Sequence, residues 1–436
     1  MTTQDSRVRR FQANWGRPRG RVGWLQRFGV LLGVLWVGLA VLPSPAIALT
    51  EEQRLVAEVW RFVDRAYVDE SFNNQNWWLV RQRIMKQPLN DKEQAYSAIQ
   101  QMLASLDDPF TRLLRPEQYR SLQTNTAGEL TGVGLQIALD NDNGELKVIA
   151  PIAGSPADQA GIRPADTILK IDGQPTTHLS LDEAAERMRG EVGSEVVLTL
   201  RREGSQLPDV RVRRDRIELN PVYADLRVQS TPNVPGGKQK IGYIRLSQFN
   251  ANASLEVGQA IRKLEQQGAE AYVLDLRGNP GGLLQAGVDI ARYWLDRGTI
   301  VYTVNRQGIE GSFEATGSAL THDPLVVLVN QGTASASEIL AGALKDNHRA
   351  TIIGERTFGK GLIQSLFDLS DGSGLAVTVA KYETPDHIDI NKAGIYPDVT
   401  VPLDPIALNQ LGTEADRQYE TALEYLTTHT MVAGAA

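Results

Sequence analysis

The chain has 436 residues, of which 42% are hydrophobic and 22% are charged. This length and composition predict a soluble globular protein of two or three domains. The absence of cysteine excludes disulfides, thiolate catalysis and cysteine-ligated zinc. The first 48 residues carry seven arginines and one aspartate, a charge of +6. Since the whole chain has a net charge of −7, the remaining residues carry about −13. Such an acidic body argues against nucleic-acid binding.

The first 48 residues have the pattern of an export signal. An arginine-rich stretch precedes an apolar run at 28–42, and Ala46-Ile47-Ala48 is typical of a small-residue cleavage site. The apolar run is shorter than the about 20 residues that a membrane-spanning helix needs. We therefore predict a cleaved signal peptide over residues 1–48 and an exported protein. The alternative is an uncleaved membrane anchor.

The patterns after the signal predict a multidomain protein of α+β or α/β class. Apolar residues such as Leu55, Val59 and Val63 recur at helical spacing in the first part. Short strands with glycine and asparagine turns follow, and then strands and helices alternate, which predicts a largely parallel sheet. The predicted domains are an N-terminal helical domain (49–122), a small strand-rich domain (123–205), an α/β domain (206–405), and a C-terminal helix and tail (406–436).

Two motifs in the strand-rich part predict specific elements. Asn143-Gly144 lies between two apolar stretches, which is the pattern of a β-hairpin. Ser180 and Glu183 have the spacing of a capping box at the start of a helix.

The strongest chemical signal is the segment 330–338, which joins a predicted buried strand to a predicted helix. Ser335 would lie at the helix N-terminus, where unpaired N–H groups and the helix dipole favour a developing oxyanion. Ser335 and Glu338 also have capping-box spacing, which by itself explains a serine here. The small residues Ala334 and Ala336 beside it favour a nucleophile that a peptide approaches closely.

A serine nucleophile needs a general base, and Lys360 in the loop after the next predicted strand is the candidate. None of the five histidines form an HExxH pair, and no G-x-S-x-G motif is present. A lysine acts as a base only when its pKa falls from about 10.4 towards 7–8, and burial beside Phe358 would lower it. Gln364 could orient the neutral amine. The alternative for a loop lysine is solvent exposure.

Two glycine-rich segments complete the candidate site. Residues 275–282 follow a buried strand and could cradle a phosphate, supply an oxyanion donor or form a plain tight turn. Gly132, Val133, Gly134 and Leu135 open a predicted strand. Such a turn could hold a terminal carboxylate while the peptide adds as a strand beside it.

Together these residues resemble the carboxyl-terminal processing proteases, a family of Ser–Lys peptidases with an embedded PDZ domain. The serine motif at 332–338, the Thr-Phe-Gly-Lys-Gly loop at 357–361 and Gln364 occur in the order and spacing of that family. The resemblance covers almost all of the chain after the signal. It implies that residues 123–205 form the PDZ domain and residues 206–405 the protease domain.

The resemblance also implies a role for each candidate residue. Ser335 would be the nucleophile, Lys360 the general base and Gln364 the residue that orients the lysine. The backbone N–H groups of Gly281 and Ala336 would hold the oxyanion.

The photosynthetic branch of the family is the most similar, on the segments 72–78 and 113–119. The resemblance implies a serine endoprotease that binds a substrate's C-terminal tail at residues 132–135 and trims it. In that branch the substrate is the precursor of a photosystem II reaction-centre subunit in the thylakoid lumen. We expect a monomer without metal or organic cofactor, in the lumen or periplasm. The alternatives are a general tail-selective quality-control protease and a non-catalytic tail-binding scaffold.

Overall fold

The computed structural model describes residues 49–140, 143–152, 154–230, 237–404, 406–407 and 410–433. The chain divides into two units, Met1–Glu51 and Glu52–Ala436, and all residues of the candidate site belong to the second. The predicted signal peptide at 1–48 lies outside the described residues. Within those residues, no helix has both the length and the apolar character that a membrane crossing requires.

The first region of the described chain is helical, as its apolar spacing predicts. Val56, Val59 and Val63 are fully buried on one face of the first helix. Asn76 and Asp91 cap the next two helices by accepting backbone N–H bonds. The elements are α1 (Glu51–Ala66), α2 (Trp77–Ile84), α3 (Lys92–Ala104), β1 (Arg112–Leu114) and α4 (Pro116–Ala127).

The second region is a small strand-rich module around its own apolar core. Leu146, Ile168 and Leu198 are buried at its centre. The elements are β2 (Glu129–Gly132), β3 (Leu135–Leu139), β4 (Leu146–Pro151), α5 (Pro156–Gln159), β5 (Thr167–Ile171), β6 (Gln174–Pro175), α6 (Leu181–Met188), β7 (Glu195–Arg202), β8 (Ser205–Gln206), β9 (Val210–Arg213) and β10 (Asp215–Glu218).

Both motif predictions for this module are confirmed. β3 and β4 pair antiparallel across the Asn143-Gly144 turn. At the start of α6, Glu183 accepts the N–H of Ser180, and the Ser180 hydroxyl accepts the N–H of Glu183. An antiparallel ribbon of β2 and β10 lies where the chain enters and leaves the module.

The third region alternates strands and helices. Its strands are β11 (Val222–Ser230), β12 (Lys238–Leu246), β13 (Ala271–Asp275), β14 (Thr299–Asn305), β15 (Gly308–Glu314), β16 (Leu325–Val329), β17 (Thr351–Gly354), β18 (Leu362–Asp368), β19 (Gly374–Glu383) and β20 (Val399–Thr400). Its helices are α7 (Ala253–Gln266), α8 (Leu284–Arg292), α9 (Ala336–Asp346) and α10 (Arg417–Ala433).

These strands form two sheets. The six-stranded sheet has the order β11-β12-β13-β16-β17-β20 and is parallel except for β11, which is antiparallel at one edge. The other sheet, β1-β19-β14-β15 with β18 paired to β19, is antiparallel. The multidomain α+β class is confirmed, but the sheets are mixed rather than largely parallel. The reason is that β18 and β19 are joined by a short turn, which permits only antiparallel pairing.

The six-stranded sheet is buried on both faces. Leu274 and Val327 face the core that α7, α8 and α9 cover, whereas Val273 and Leu328 face α10. All five residues of β16 are buried. Because both faces are apolar, polar chemistry is confined to the strand ends, and the candidate residues lie at the C-terminal ends of β13, β16 and β17.

A buried ion-pair network joins the end of β13 to the start of α10. Arg277 lies between the fully buried carboxylates of Asp275 and Asp416, with a shortest N–O distance of 2.6 Å to each. Burial acts to raise the pKa of Asp416, but the hydrogen bonds and charge of Arg277 and the backbone N–H groups that donate to Asp416 together outweigh it, so the pKa is lowered. Arg277 therefore places a cation between two carboxylates inside the core.

We expect Arg277→Leu to lower the free energy of unfolding by about 3–5 kcal/mol, because two buried carboxylates lose their cation. Urea unfolding followed by tryptophan fluorescence measures the change. Arg115→Leu is the matched control, since Arg115 pairs with the exposed Glu93 and should matter little. Equal losses in the two variants would contradict this account of the network.

Candidate active site

Ser335 begins α9 in a strained backbone conformation. Its φ of 58° and ψ of −119° lie outside the regions that non-glycine residues normally occupy. Such strain costs of the order of 1–3 kcal/mol and persists only where the surroundings impose it, which is common at functional sites. The predicted position of Ser335 at a helix N-terminus is confirmed.

Hydrogen bonds to the loop after β13 impose this conformation. The carbonyl oxygen of Asn279 accepts the N–H of Ala334 at 3.0 Å and the hydroxyl of Ser337 at 3.0 Å. The hydroxyl of Thr333 donates to the carbonyl of Leu276 at 2.9 Å. The serine loop and the glycine-rich loop are therefore one hydrogen-bonded layer.

Gly281 makes the closest approach between the two loops. A Cβ at this position would lie 2.6 Å from the carbonyl oxygen of Ala334 and 2.8 Å from Cβ of Ser335, and φ is +95°, so only glycine fits. The two predicted oxyanion donors, Gly281 and Ala336, thus flank Ser335. Ala336 opens α9, where an N–H has no intrahelical partner. The N–H of Gly281 instead donates to Asn279 Oδ1 at 2.9 Å, so its use as an oxyanion donor requires that bond to open.

The loop that carries Lys360 lies beside the serine loop. The N–H of Phe358 donates to the carbonyl of Thr333 at 3.0 Å. β16 and β17 are parallel neighbours, so both loops leave the same edge of the sheet. The strand order therefore places the lysine loop beside the serine loop.

The carboxylate of Glu338 joins the two loops directly. It is fully buried and accepts the backbone N–H of Ser335 at 2.9 Å, that of Gly359 at 2.7 Å and that of Lys360 at 2.9 Å. The hydroxyl of Thr357 donates to it at 2.5 Å. The interpretation of the Ser335–Glu338 spacing as a capping box is therefore confirmed. The same carboxylate also holds the lysine loop.

The side chain of Lys360 is half-buried. Its Nζ lies 4.9 Å from the ring centroid of Phe110 and forms no ion pair within the described part of the chain. Burial lowers the pKa of Lys360 below its usual value, and the charge of Arg112 lowers it further, against smaller opposing effects of Glu338 and Asp108. A neutral amine of this kind can accept a proton.

The residue that covers the amine is not the one that the sequence suggests. Phe358 was expected to bury Lys360, but its side chain is 57% exposed. Phe110 from the helical region takes that place. The carboxylate of Asp108 accepts the hydroxyls of Thr111 and Thr378, each at 2.7 Å, and so fastens the segment that carries Phe110 to β19.

Gln364 lies in β18 at an irregularity of the pairing with β19. Its Nε2 is buried and has no hydrogen-bond partner among the described residues. Gln364 therefore lies in the antiparallel sheet, in the strand that follows the lysine loop directly, and no hydrogen bond joins it to the Lys360 amine. Its role in orienting Lys360 stays a prediction.

The turn of residues 132–135 has the geometry of a tight backbone cradle. Val133 is buried, and Gly134 has φ of +79° with Ser155 so close that a Cβ would lie 2.3 Å from its side chain. β3 follows the turn, pairs with β4 on one side, and is a sheet edge within the described residues. An open edge beside α6 can accept a peptide as an added strand.

Two contributions to the site have no local signal in the sequence. Phe110 lies about 250 positions before the lysine it covers. Tyr382 of β19 is 1% exposed, and its hydroxyl donates to the carbonyl of Lys360. Only the packing of β19 against both the helical region and the lysine loop reveals them.

Comparisons with known proteins agree with this geometry. Residues 240–401 match the model of peptidase family S41, and residues 147–202 match that of a PDZ domain. The carboxyl-terminal-processing protease of Synechocystis sp. is 58% identical over 94% of this chain and 94% of its own length. The chloroplastic carboxyl-terminal-processing peptidase 2 of Arabidopsis thaliana is 48% identical over 82% of this chain and 70% of its own length.

A solved structure of a photosystem II D1 C-terminal processing protease is 46% identical, with a TM-score of 0.55, and covers 84% of this chain and 99% of that chain. The fold, the serine at the start of α9 and these matches define a serine peptidase of family S41 with a PDZ domain. The chain belongs to the carboxyl-terminal-processing proteases. The family resemblance inferred from the sequence is confirmed, whereas the exact domain bounds stay predictions.

We expect Glu338→Gln to lower kcat at least about tenfold and the free energy of unfolding by about 1–3 kcal/mol, because an amide NH₂ would face donors that now share one carboxylate. Steady-state cleavage and urea unfolding measure the two effects. Glu183→Gln is the matched control, since it makes the same change at the same position of the capping box of α6. A Glu338→Gln enzyme as active as Glu183→Gln would show that the bridge is dispensable.

Proposed function

We propose that this protein cleaves C-terminal extensions from protein substrates, with Ser335 as nucleophile and Lys360 as general base. The observation that carries the proposal is the Glu338 bridge, which ties the N–H of Ser335 to the N–H of Lys360 through one buried carboxylate. The lysine side chain is half-buried and has no ion pair among the described residues. A scaffold that only binds tails has no need of this arrangement.

The proposed reaction is acyl transfer in two steps. The neutral Nζ of Lys360 takes the Ser335 proton while Oγ bonds to the scissile carbonyl carbon. The N–H of Ala336 stabilises the oxyanion, joined by that of Gly281 once it leaves Asn279. The peptide C–N bond then breaks, and the ammonium of Lys360 protonates the leaving amine. Water, activated by the same lysine, hydrolyses the ester to release the new carboxylate.

The PDZ domain supplies the proposed preference for chain ends. The tail carboxylate would bind the backbone N–H groups of residues 132–135, and the preceding tail residues would pair with the open edge of β3. This docking would bring the scissile bond to Ser335. Gln364 would hold the neutral amine of Lys360 through its side chain.

We further propose that the substrate is the precursor of the photosystem II D1 subunit and that the enzyme acts in the thylakoid lumen. The support is the 46% identity to a D1 processing protease and the similarity to chloroplastic relatives. The export pattern of residues 1–48 agrees with this compartment or with the periplasm.

The test is cleavage of tailed substrates by the purified full-length protein, followed by mass spectrometry. A protein ending in the D1 precursor tail and one ending in an unrelated apolar tail are compared. We expect one cut, in the D1 tail, and a loss of at least about a thousandfold in Ser335→Ala. Ser254→Ala, which removes a hydroxyl at the start of α7, is the control and should retain full activity.

Three other outcomes would favour a different function or a different nucleophile. Equal cutting of both tails would favour a general quality-control protease. Tight tail binding without any cleavage by wild type would favour the scaffold. Cleavage that survives in Ser335→Ala would overturn the assignment of the nucleophile.

The pH profile of kcat/KM tests the base. Lys360 must be neutral to accept a proton, so the rate should rise with pH through its lowered pKa. Arg112→Gln removes a positive charge that disfavours the ammonium, so the pKa should rise and the acid limb should move to higher pH. Arg120→Gln removes an equal charge from the surface of α4 and should leave the profile in place. An unmoved acid limb in Arg112→Gln would exclude Lys360 as the titrating base.

A further inference from the structure

The helix α2 has an outer face that is exposed along its whole length. Trp77, Val80 and Ile84 are buried on the inner face. The residues of the opposite face recur at helical spacing and continue just past the helix end: Trp78, Leu79, Gln82, Arg83 and Lys86. Trp78 is 51% exposed and Leu79 is 52% exposed, so an apolar pair opens this face to solvent.

The ring of Trp78 is held in its exposed position. It packs edge-on against Trp60 of α1, with the two ring centroids 5.9 Å apart. The guanidinium of Arg81 lies 5.1 Å from the centroid of Trp78 and 5.2 Å from that of Trp60. Trp60 is itself anchored, because its indole N–H donates to the carbonyl of Trp77 at 3.0 Å. An aromatic ring that is already fixed loses little conformational entropy when a partner covers it.

The charge on this face is positive, whereas the body of the protein is acidic. Residues 71–90 contain three basic residues and no aspartate or glutamate, a charge of +3. Arg83 and Lys86, which lie on the outer face, form no ion pair within the described part of the chain. The acidic residues that flank the stretch are Asp69, Glu70 and Asp91. Asp69 and Asp91 accept local backbone N–H bonds.

These features match the surface of an anionic bilayer. Tryptophan is favoured at the boundary between headgroups and acyl chains, because its ring is amphipathic. Basic side chains close to that boundary are attracted to the negative headgroups. A stable protein interface needs about 800 Å² from each partner. The apolar part of this face consists of two side chains, which favours a lipid surface over a second protein.

We propose that the outer face of α2 is a docking site for an anionic lipid bilayer. Trp78 and Leu79 enter the boundary between headgroups and acyl chains, and Arg83 and Lys86 contact the headgroup phosphates. The docking is peripheral and leaves α2 packed on the helical region. The proposal does not depend on the proposed function, since it concerns where the protein is held and not what it cleaves.

The first test is co-sedimentation of the full-length protein with vesicles of phosphatidylcholine and phosphatidylglycerol in equal amounts. We expect the double variant Arg83→Glu, Lys86→Glu to bind at least about tenfold more weakly than wild type. The matched control is Arg262→Glu, Lys263→Glu, which makes the same change at two adjacent exposed positions of α7. The control should bind like wild type. High salt should weaken the binding of wild type.

The second test reports on the contact itself. The chain has no cysteine, so a single Gln82→Cys variant accepts an environment-sensitive fluorophore at one position in α2. Gln266→Cys places the same label at an exposed position of α7. We expect the vesicles to shift the emission of the label at 82 to shorter wavelength and to leave the label at 266 unchanged. Adding Trp78→Ser and Leu79→Ser should abolish the shift, with an unchanged urea midpoint as the check on folding.

Each contrary result rejects the proposal. An unchanged label at position 82 on vesicle-bound protein overturns it, whatever residues 1–48 contribute to binding. Equal binding to vesicles of phosphatidylcholine alone, or equal binding by the Arg83 and Lys86 double variant, contradicts recognition of anionic lipid. A shift at position 82 that appears without vesicles and grows with protein concentration would assign the face to a second copy of the chain.

Discussion

The buried carboxylate of Glu338 is the interaction on which the candidate site depends. A fully buried charge is tolerated here because three backbone N–H groups and the Thr357 hydroxyl donate to it. It also lies in the first turn of α9, where the helix dipole favours a negative charge. One side chain therefore caps the helix that begins at Ser335 and anchors the loop that carries Lys360, so the two cannot move independently.

The site combines parts of the chain that are far apart in sequence. The six-stranded sheet places the serine and lysine loops side by side, and the glycine-rich loop after β13 supports the strained Ser335 from the other side. The antiparallel sheet brings β19 beneath the lysine loop. The helical region adds Phe110, which reaches the amine only because Asp108 is bonded to Thr378 of β19. The lowered pKa of Lys360 is thus a property of two regions together.

Local patterns predicted much of this arrangement. The helices at 51–66 and 336–346, the Asn143-Gly144 hairpin and the capping box of α6 were all predictable, because each depends on apolar spacing or on side chains a few positions apart. The strand–loop–helix context of Ser335 followed in the same way. The mixed character of the sheets was not predictable from local patterns. Tertiary packing selects the pairing partners, and buried strands can have the same apolar pattern in parallel and antiparallel pairs.

The sequence by itself determined the family, the serine, the lysine and their order along the chain, because motif spacing is a property of neighbouring residues. Only the tertiary structure decided that Phe110 rather than Phe358 covers the amine, that Glu338 joins the two loops and that the Tyr382 hydroxyl contacts the lysine main chain. The physical reason is that burial and the pairing of polar groups depend on which distant surfaces meet, and no local pattern records that choice.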